Sequence, residues 1–219
     1  MAAALIFDVM GTLFELAPLR ERLQAVGAPG ASLEAWFGRL LHTAASLTLA
    51  GEFRPFAEIA EASLRTTLAQ QGLDEDRATD VIARLGELPP YDDAEESLSR
   101  AHEAGAAVAV LTNGGEAHTR KLLGSARLDH YIDAFISVEE VRAYKPAPAP
   151  YHHAAERLGV DAGNTTLIAA HGWDVVGALS AGLQAIWVDR LERRWPFPFA
   201  EPRRASSVAE AVAEVVGGR

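Results

Sequence analysis

Short, almost wholly apolar runs alternate along this chain with longer stretches in which apolar residues return every three or four positions. The runs at 3–7, 107–111, 134–138, 165–170 and 184–188 predict strands buried on both faces, the pattern of a parallel sheet covered on each side. The stretches at 94–104, 116–125, 149–158 and 175–181 predict amphipathic helices, and Gly105, Gly159 and Gly182 stand where helix C-caps are expected. Such an alternation predicts an α/β fold: a doubly wound, Rossmann-like parallel sheet with right-handed crossovers.

One interval breaks the alternation. Between Glu15 and Pro90 no strand pattern occurs, only helical ones, the clearest at 33–50, 56–71 and 76–88. Helices in that number exceed what a single crossover needs, which predicts an inserted α-helical cap over residues 15–90, with 1–14 and 91–219 forming the catalytic core. The Pro-rich tail "RRWPFPFAEPRRASS" predicts a loop, followed by a last helix at 208–216.

Length and charge narrow the picture. A chain of 219 residues suffices for one large domain or for a core with a smaller insert. The formal charge of −10, with arginines scattered apart from pairs such as Arg193-Arg194 and Arg203-Arg204, argues against a nucleic-acid partner, which needs a basic stripe. An anionic substrate would require a locally positive pocket. The absence of cysteine excludes disulfides, thiolate metal sites and cysteine nucleophiles. No basic segment leads into an apolar one at the start, and no apolar run approaches ~18 residues, so no membrane association and a cytoplasmic location are expected.

Polar residues interrupt the apolar pattern at one recurring place, just past the carboxyl ends of the strands, where open α/β sheets bind ligands. Asp8 follows the first strand, and Thr112, Asn113 and Gly114 follow the second. Lys145, in "AYKP", lies after the third, and Asp174, in "AAHGWD", after the fourth. Each has a plainer explanation when taken singly: an Asp capping a turn, a Thr-Asn-Gly turn, a solvated Lys before Pro, a Trp-Asp pair at a helix start. Their common order and topology point to one shared rim.

The segments "FDVMGTLF", "LTNG", the lysine of "VRAYKPAPAPY" and "AAHGWDVVGALSAGL" resemble the four motifs of the haloacid dehalogenase superfamily, and the match spans the chain, helical cap included. Within it the chain is most similar to the (S)-2-haloacid dehalogenase, type II, branch, in "YKP" followed by Tyr151 and in the "WD" ahead of "GA". The resemblance implies that Asp8 is a nucleophile forming an alkyl ester with the substrate. It implies that Lys145 pairs with Asp8 and keeps it ionised, and that Asp174 positions or activates the water that hydrolyses the ester. Hydrogen bonds from Thr12, Thr112 and Asn113, anion-binding backbone donors near Asn113 and Gly114, and a pocket lined by Tyr151 follow from the same resemblance. So do a small carboxylate as substrate and a homodimer.

Met10 separates two chemistries of that superfamily. Its phosphatases usually carry a second Asp two residues after the nucleophile to protonate the departing alkoxide, and general acid catalysis of this kind is worth ~10²–10⁴ in rate. Met10 has no proton to give, and a halide needs none. Magnesium asks for several hard oxygen ligands, yet Ala169 stands at the first acidic position of the fourth motif, leaving Asp174 as the carboxylate of that loop. No cofactor is therefore expected to be required, with at most weak Mg²⁺ binding at Asp8 and Asp174.

The type II pattern is broken at three places. Met10 replaces an aromatic residue, and Phe37 replaces the arginine that follows a Trp, here Trp36, in the first cap helix. Ala169 and His171 replace a Ser and an Asn. Arg39, two residues beyond Phe37, lies about 200° around the helix and would point elsewhere. Met10, His171 and Trp173 are assigned to the substrate pocket, and Phe37 to an apolar pocket wall or to cap core. His152-His153 diverge on a helix and make no metal pair, and the acidic "DDAEES" is expected to be a solvated first helical turn. The activity expected is hydrolytic dehalogenation of a short 2-haloalkanoic acid through an aspartyl ester on Asp8. The alternatives are a Mg²⁺-dependent phosphatase of small phosphate esters and a binding module whose catalytic set has decayed.

Overall fold

The computed structural model describes residues 4–217, which divide into two compact units: the described residues up to Glu15 together with those from Pro89 onward, and Leu16–Leu88. Ala3, counted in the first strand from the sequence, lies outside the described residues. In chain order the elements begin with strand β1 (Ala4–Phe7) and helices α1 (Ala17–Ala25), α2 (Ser32–Leu49), α3 (Phe56–Gln70) and α4 (Arg77–Ile82). They continue with α5 (Ala94–Glu103), β2 (Ala107–Thr112), α6 (Glu116–Ser125), β3 (Ala134–Ser137), α7 (Pro148–Leu158) and β4 (Thr165–Ala169). The last are α8 (Gly172–Ser180), β5 (Gln184–Val188), β6 (Arg203–Ala205) and α9 (Val208–Gly217).

The first unit is built on a parallel sheet of order β3-β2-β1-β4-β5-β6. Its central strands are buried along their whole length, as their continuous apolar sequences require. The strand order reverses between β1 and β4, and this switch point opens a crevice beyond their carboxyl ends. β6 replaces part of the expected loop. Its three residues include two exposed arginines and carry no apolar pattern, a short charged edge strand of the kind that discourages further pairing. Helix α8 starts at Gly172 rather than Val175, so Trp173 and Asp174 lie in its first turn. The acidic "DDAEES" is also more than a solvated turn: Asp93 is mostly buried and accepts the backbone N–H of Val208, at the start of α9, at 2.8 Å.

The second unit is all helical. α2 and α3 pack along apolar stripes that include Trp36, Leu40, Ala44, Leu64 and Leu68, and the Trp36 indole donates to the Ala60 carbonyl at 3.0 Å. The pattern at 76–88 yields α4 and then a single 3₁₀ turn at Leu85–Glu87, not one helix. Leu88 precedes Pro89-Pro90 and is extended (ψ 136°), as steric pressure from a following proline demands. Among the described residues no helix is long and apolar enough to cross a membrane.

In the first unit α7 and α8 approach closely at Gly177. A Cβ there would overlap the Tyr151 hydroxyl and come within 2.7 Å of Pro146 Cβ. Alanine is the better helix former by about 1 kcal/mol, but forcing a methyl into a filled space costs typically ~1–3 kcal/mol, and the displaced Tyr151 would also lose its bond to Asp174. Gly177→Ala is thus expected to lower the thermal midpoint. A midpoint raised by the substitution would contradict this packing.

Candidate active site

β1 delivers Asp8 to the carboxyl edge of the sheet. The Asp8 N–H still donates to Ile168 O at 3.1 Å, so the ladder with β4 continues through this residue and fixes its backbone. The chain then turns at Gly11, whose φ is +80°, and a Cβ there would lie 2.8 Å from both His171 Nε2 and Leu191 Cδ1. Glycine alone meets both demands. The turn returns Thr12 to Asp8: its Oγ1 donates to Asp8 Oδ2 at 2.7 Å and accepts from Ala170 N at 2.9 Å. A hydroxyl engaged in both directions has one orientation.

The second Asp8 oxygen, Oδ1, accepts from Lys145 Nζ at 2.9 Å. The same ammonium donates to Asp174 Oδ2 at 2.7 Å and to Leu111 O at 2.9 Å. Three N–H donors therefore meet three acceptors. The Lys145 backbone is held by Asn113, whose Oδ1 accepts the Lys145 N–H at 3.0 Å. Asp174 Oδ1 in turn accepts the Tyr151 hydroxyl at 2.6 Å. Lys145 and Asp174 are fully enclosed and Asp8 is 5% exposed.

Burial raises a carboxyl pKa and lowers an ammonium's, and here charge opposes it. At Asp8 burial pushes upward, but Lys145, assisted by His171 and Thr12, outweighs it and holds the carboxyl below the usual aspartate value. At Asp174 burial prevails: Lys145 pulls downward, the Asp8 charge adds to the upward push, and the pKa is raised. Lys145 is raised despite burial because two carboxylates face it. Tyr151 is pushed well above its ordinary value by burial and by Asp174, so it remains a phenol that donates. One lysine thus separates two acids into a firmly ionised one and a more easily protonated one.

The same geometry tests the weak Mg²⁺ site expected at Asp8 and Asp174. One oxygen of each carboxylate already accepts the Lys145 ammonium, and the other oxygen is engaged by Thr12 or Tyr151. The donor set does not fit a divalent cation. Among the described residues no group of three or more His, Asp or Glu side chains is placed to hold one.

The remaining pocket residues fall into distinct positions. Thr112 ends β2, and its Oγ1 accepts the Gly114 N–H at 2.9 Å, while Ser137 donates to the Gly114 carbonyl at 2.8 Å. Gly114 is thereby tied into a turn, and its N–H is used there. Asn113 Nδ2, by contrast, is a buried donor without a partner, on a residue only 8% exposed. His171 is the N-cap residue of α8; its Nε2 lies 3.0 Å from Met10 O and 4.0 Å from Asp8 Oδ2. Its ring stacks on Trp173 at 5.3 Å, and Trp173 Nε1 is a second buried donor without a partner. Met10 enters through its backbone carbonyl. Phe37 lies in α2, in the helical unit, where it is partly exposed, and Arg39 donates to Gln70 Oε1 on α3 at 2.6 Å.

Sequence reasoning passed over Ser137, the Leu111 carbonyl and Glu192, whose Oε2 accepts the Gly172 N–H at 2.9 Å. Ser137 stands at the end of β3, as Asp8 does beyond β1, so the strand-end rule could have marked it. Glu192 lies just before the Pro-rich tail, where no periodicity signals a role.

Comparison with known proteins identifies the family. The model of the haloacid dehalogenase-like hydrolase family matches residues 2–182. An (S)-2-haloacid dehalogenase of Pseudomonas sp. (strain CBS-3) is 30% identical over 214 residues, covering 94% of this chain and 93% of the relative. Another from Burkholderia cepacia is 28% identical, over 90% of this chain and 87% of the relative. The solved structure of L-2-haloacid dehalogenase from Xanthobacter autotrophicus with chloropropionic acid covalently bound superimposes with a TM-score of 0.90 over the whole of both chains, at 26% identity. With a family match across most of its length and relatives aligned nearly end to end, the chain belongs to the haloacid dehalogenase-like hydrolases.

Proposed function

We propose that this protein hydrolyses short 2-haloalkanoic acids to 2-hydroxy acids through an ester on Asp8. The observation that carries this is the Lys145 ammonium clamped between Asp8 and Asp174 at 2.9 and 2.7 Å, which leaves a buried, ionised nucleophile with no acidic side chain at Met10 beside it. The activities by which the relatives are named support the same chemistry.

In the first half-reaction a carboxylate oxygen of Asp8 attacks C2 of the substrate opposite the halogen. The C–O bond forms, the carbon–halogen bond breaks, and the halide departs with the bonding electrons, inverting C2. Thr12 and Lys145 hold the carboxylate in one plane, so little reorientation precedes attack. Asn113 Nδ2 offers its unused N–H groups to an anionic part of the substrate, and Met10, His171 and Trp173 form the surrounding wall. In the second half-reaction water adds to Asp8 Cγ while Lys145 stabilises charge growing on the ester oxygen. Asp174, the more basic carboxylate, receives the proton. Collapse of the adduct breaks the ester C–O bond, the departing alkoxide takes the proton held by Asp174 to give the 2-hydroxy acid, and Asp8 is returned and ionises. A homodimer and a cytoplasmic location belong to the same proposal, and the dimer is open to measurement by light scattering.

Three outcomes are expected. With 2-chloropropionate, wild-type protein releases chloride and the Asp8→Asn variant does so at least ~10³-fold more slowly, a covalent nucleophile being indispensable; equal rates, or no release by either, would refute the assignment. A single turnover in ¹⁸O-water places the label in the Asp8 carboxylate, read by mass spectrometry of its peptide, whereas label confined to the product would mean direct attack by water. The profile of kcat against pH, with ester hydrolysis limiting turnover, supplies the third. As pH falls Asp174 is the first of the three groups to change charge, because its pKa is raised and that of Asp8 lowered. The acid limb should therefore lie above the ordinary aspartate value of about 3.9. Lys145, also raised, should impose no alkaline limb below about 10. An acid limb at or below the ordinary value would contradict this division of roles.

A further inference from the structure

We propose that Arg190 and Asp93 are positioning residues for Asp8, acting through Thr12; the proposal rests on Asp8 being the nucleophile. Neither residue touches the Asp8–Lys145–Asp174 cluster. Arg190 lies just beyond β5, and its Nη1 donates to the Thr12 carbonyl at 2.9 Å while Nη2 donates to Asp93 Oδ2 at 2.6 Å. The ion pair is mostly enclosed, with side chains 12% and 19% exposed. The guanidinium also lies 4.1 Å over the Tyr91 ring. Asp93 Oδ2 is fixed from the other side by the N–H groups of Val208, at 2.8 Å, and Ala209, at 3.4 Å, where α9 begins.

The consequence reaches the nucleophile in two steps. The peptide following Thr12 is pinned at its oxygen by Arg190, and the next carbonyl, that of Leu13, accepts the Tyr91 N–H at 2.9 Å. With the Thr12 backbone fixed, its hydroxyl is placed to bridge Ala170 N and Asp8 Oδ2. Lys145 holds Oδ1 of Asp8 and Thr12 holds Oδ2, so loss of the Thr12 anchor leaves the carboxylate held at one oxygen only and less restricted about its Cβ–Cγ bond. A guanidinium suits this position because its planar fork serves two acceptors at a set angle, which a lysine ammonium cannot reproduce. Thus α5, the loop after β5 and the start of α9 are all tied to the turn after β1, at separations of 97 and 178 residues for the two Arg190 bonds.

The test combines turnover with a readout that needs none. On 2-chloropropionate, Arg190→Ala should lower kcat roughly 10- to 100-fold, the scale of a misplaced reacting group, with KM little changed and partial recovery on adding millimolar guanidinium. Thr12→Val in the Arg190→Ala background should add almost nothing, because both changes release the same bond. Arg190→Lys and Asp93→Asn, which keep most of the packing, should give intermediate losses and serve if the alanine variant fails to fold. Separately, the Asp8 carboxyl can be titrated by ¹³C NMR, assigned with Asp8→Asn, and its pKa should rise in Arg190→Ala because the carboxylate loses a hydrogen bond. Additive effects of Arg190→Ala and Thr12→Val, or a lowered thermal midpoint with kcat and Asp8 titration unchanged, would overturn the proposal. If wild-type protein releases no halide yet Arg190→Ala shifts the Asp8 titration, the dehalogenase assignment fails and the positioning role stands.

Discussion

An ammonium group deprived of water costs several kcal/mol unless its protons and charge are fully met. At Lys145 they are met, by the carboxylates of Asp8 and Asp174 and the carbonyl of Leu111. Most other features of the site serve to keep those partners in place. Thr12 holds the far oxygen of Asp8, Tyr151 that of Asp174, and Asn113 the backbone from which Lys145 projects. Gly177 is bare so that Tyr151 can reach α8, and Gly11 takes a left-handed turn so that Thr12 can return to Asp8. The two acids are unequal because Lys145, His171 and Thr12 together outweigh burial at Asp8, whereas burial prevails at Asp174. The inequality is chemically useful, since displacement needs an ionised acid and hydrolysis needs one able to take a proton.

The strand order explains how a lysine following β3 arrives between carboxylates that follow β1 and β4. β2 lies between β3 and β1, and adjacent strands are ~4.8 Å apart, so the Lys145 side chain has to cross the end of β2. Its bond to Leu111 O, on β2, marks that crossing. Asp8 and Asp174 need no such reach, because β1 and β4 are neighbours at the point where the strand order reverses. A parallel sheet of this order can therefore gather residues 8, 145 and 174 with ordinary side-chain lengths. The ammonium bridges the two carboxylates directly.

How much of this could be read from the sequence depends on what kind of signal each residue leaves. Asp8, Lys145 and Asp174 interrupt or follow apolar strands, and a charge at such a place stands out against its surroundings. Asn113 and Tyr151 follow from the motif resemblance, although the unused Nδ2 of one and the bond from the other to Asp174 do not. Gly114 was expected to offer its N–H to an anion, but Thr112 accepts it, since a hydroxyl two residues earlier closes that turn first. Asp93 sits in an acidic run that looks solvated, and Arg190 and β6 sit in or beside a Pro-rich tail without periodicity. Their partners, Thr12, Val208 and β5, are distant in the chain, so no window of neighbouring residues carries the signal.

By itself the sequence determined the alternation of buried strands and amphipathic helices, because hydrophobic periodicity is a local property that backbone geometry must obey. It also determined that position 10 holds no acid, because a side chain's inventory of protons does not depend on folding. Only the tertiary structure decided that Lys145 binds both carboxylates at once, that Asp174 is the more basic of the two, and that Thr12 is anchored from beyond β5. Those outcomes depend on distances between groups far apart in the chain and on the loss of water around them, and both come into being only when the sheet has assembled.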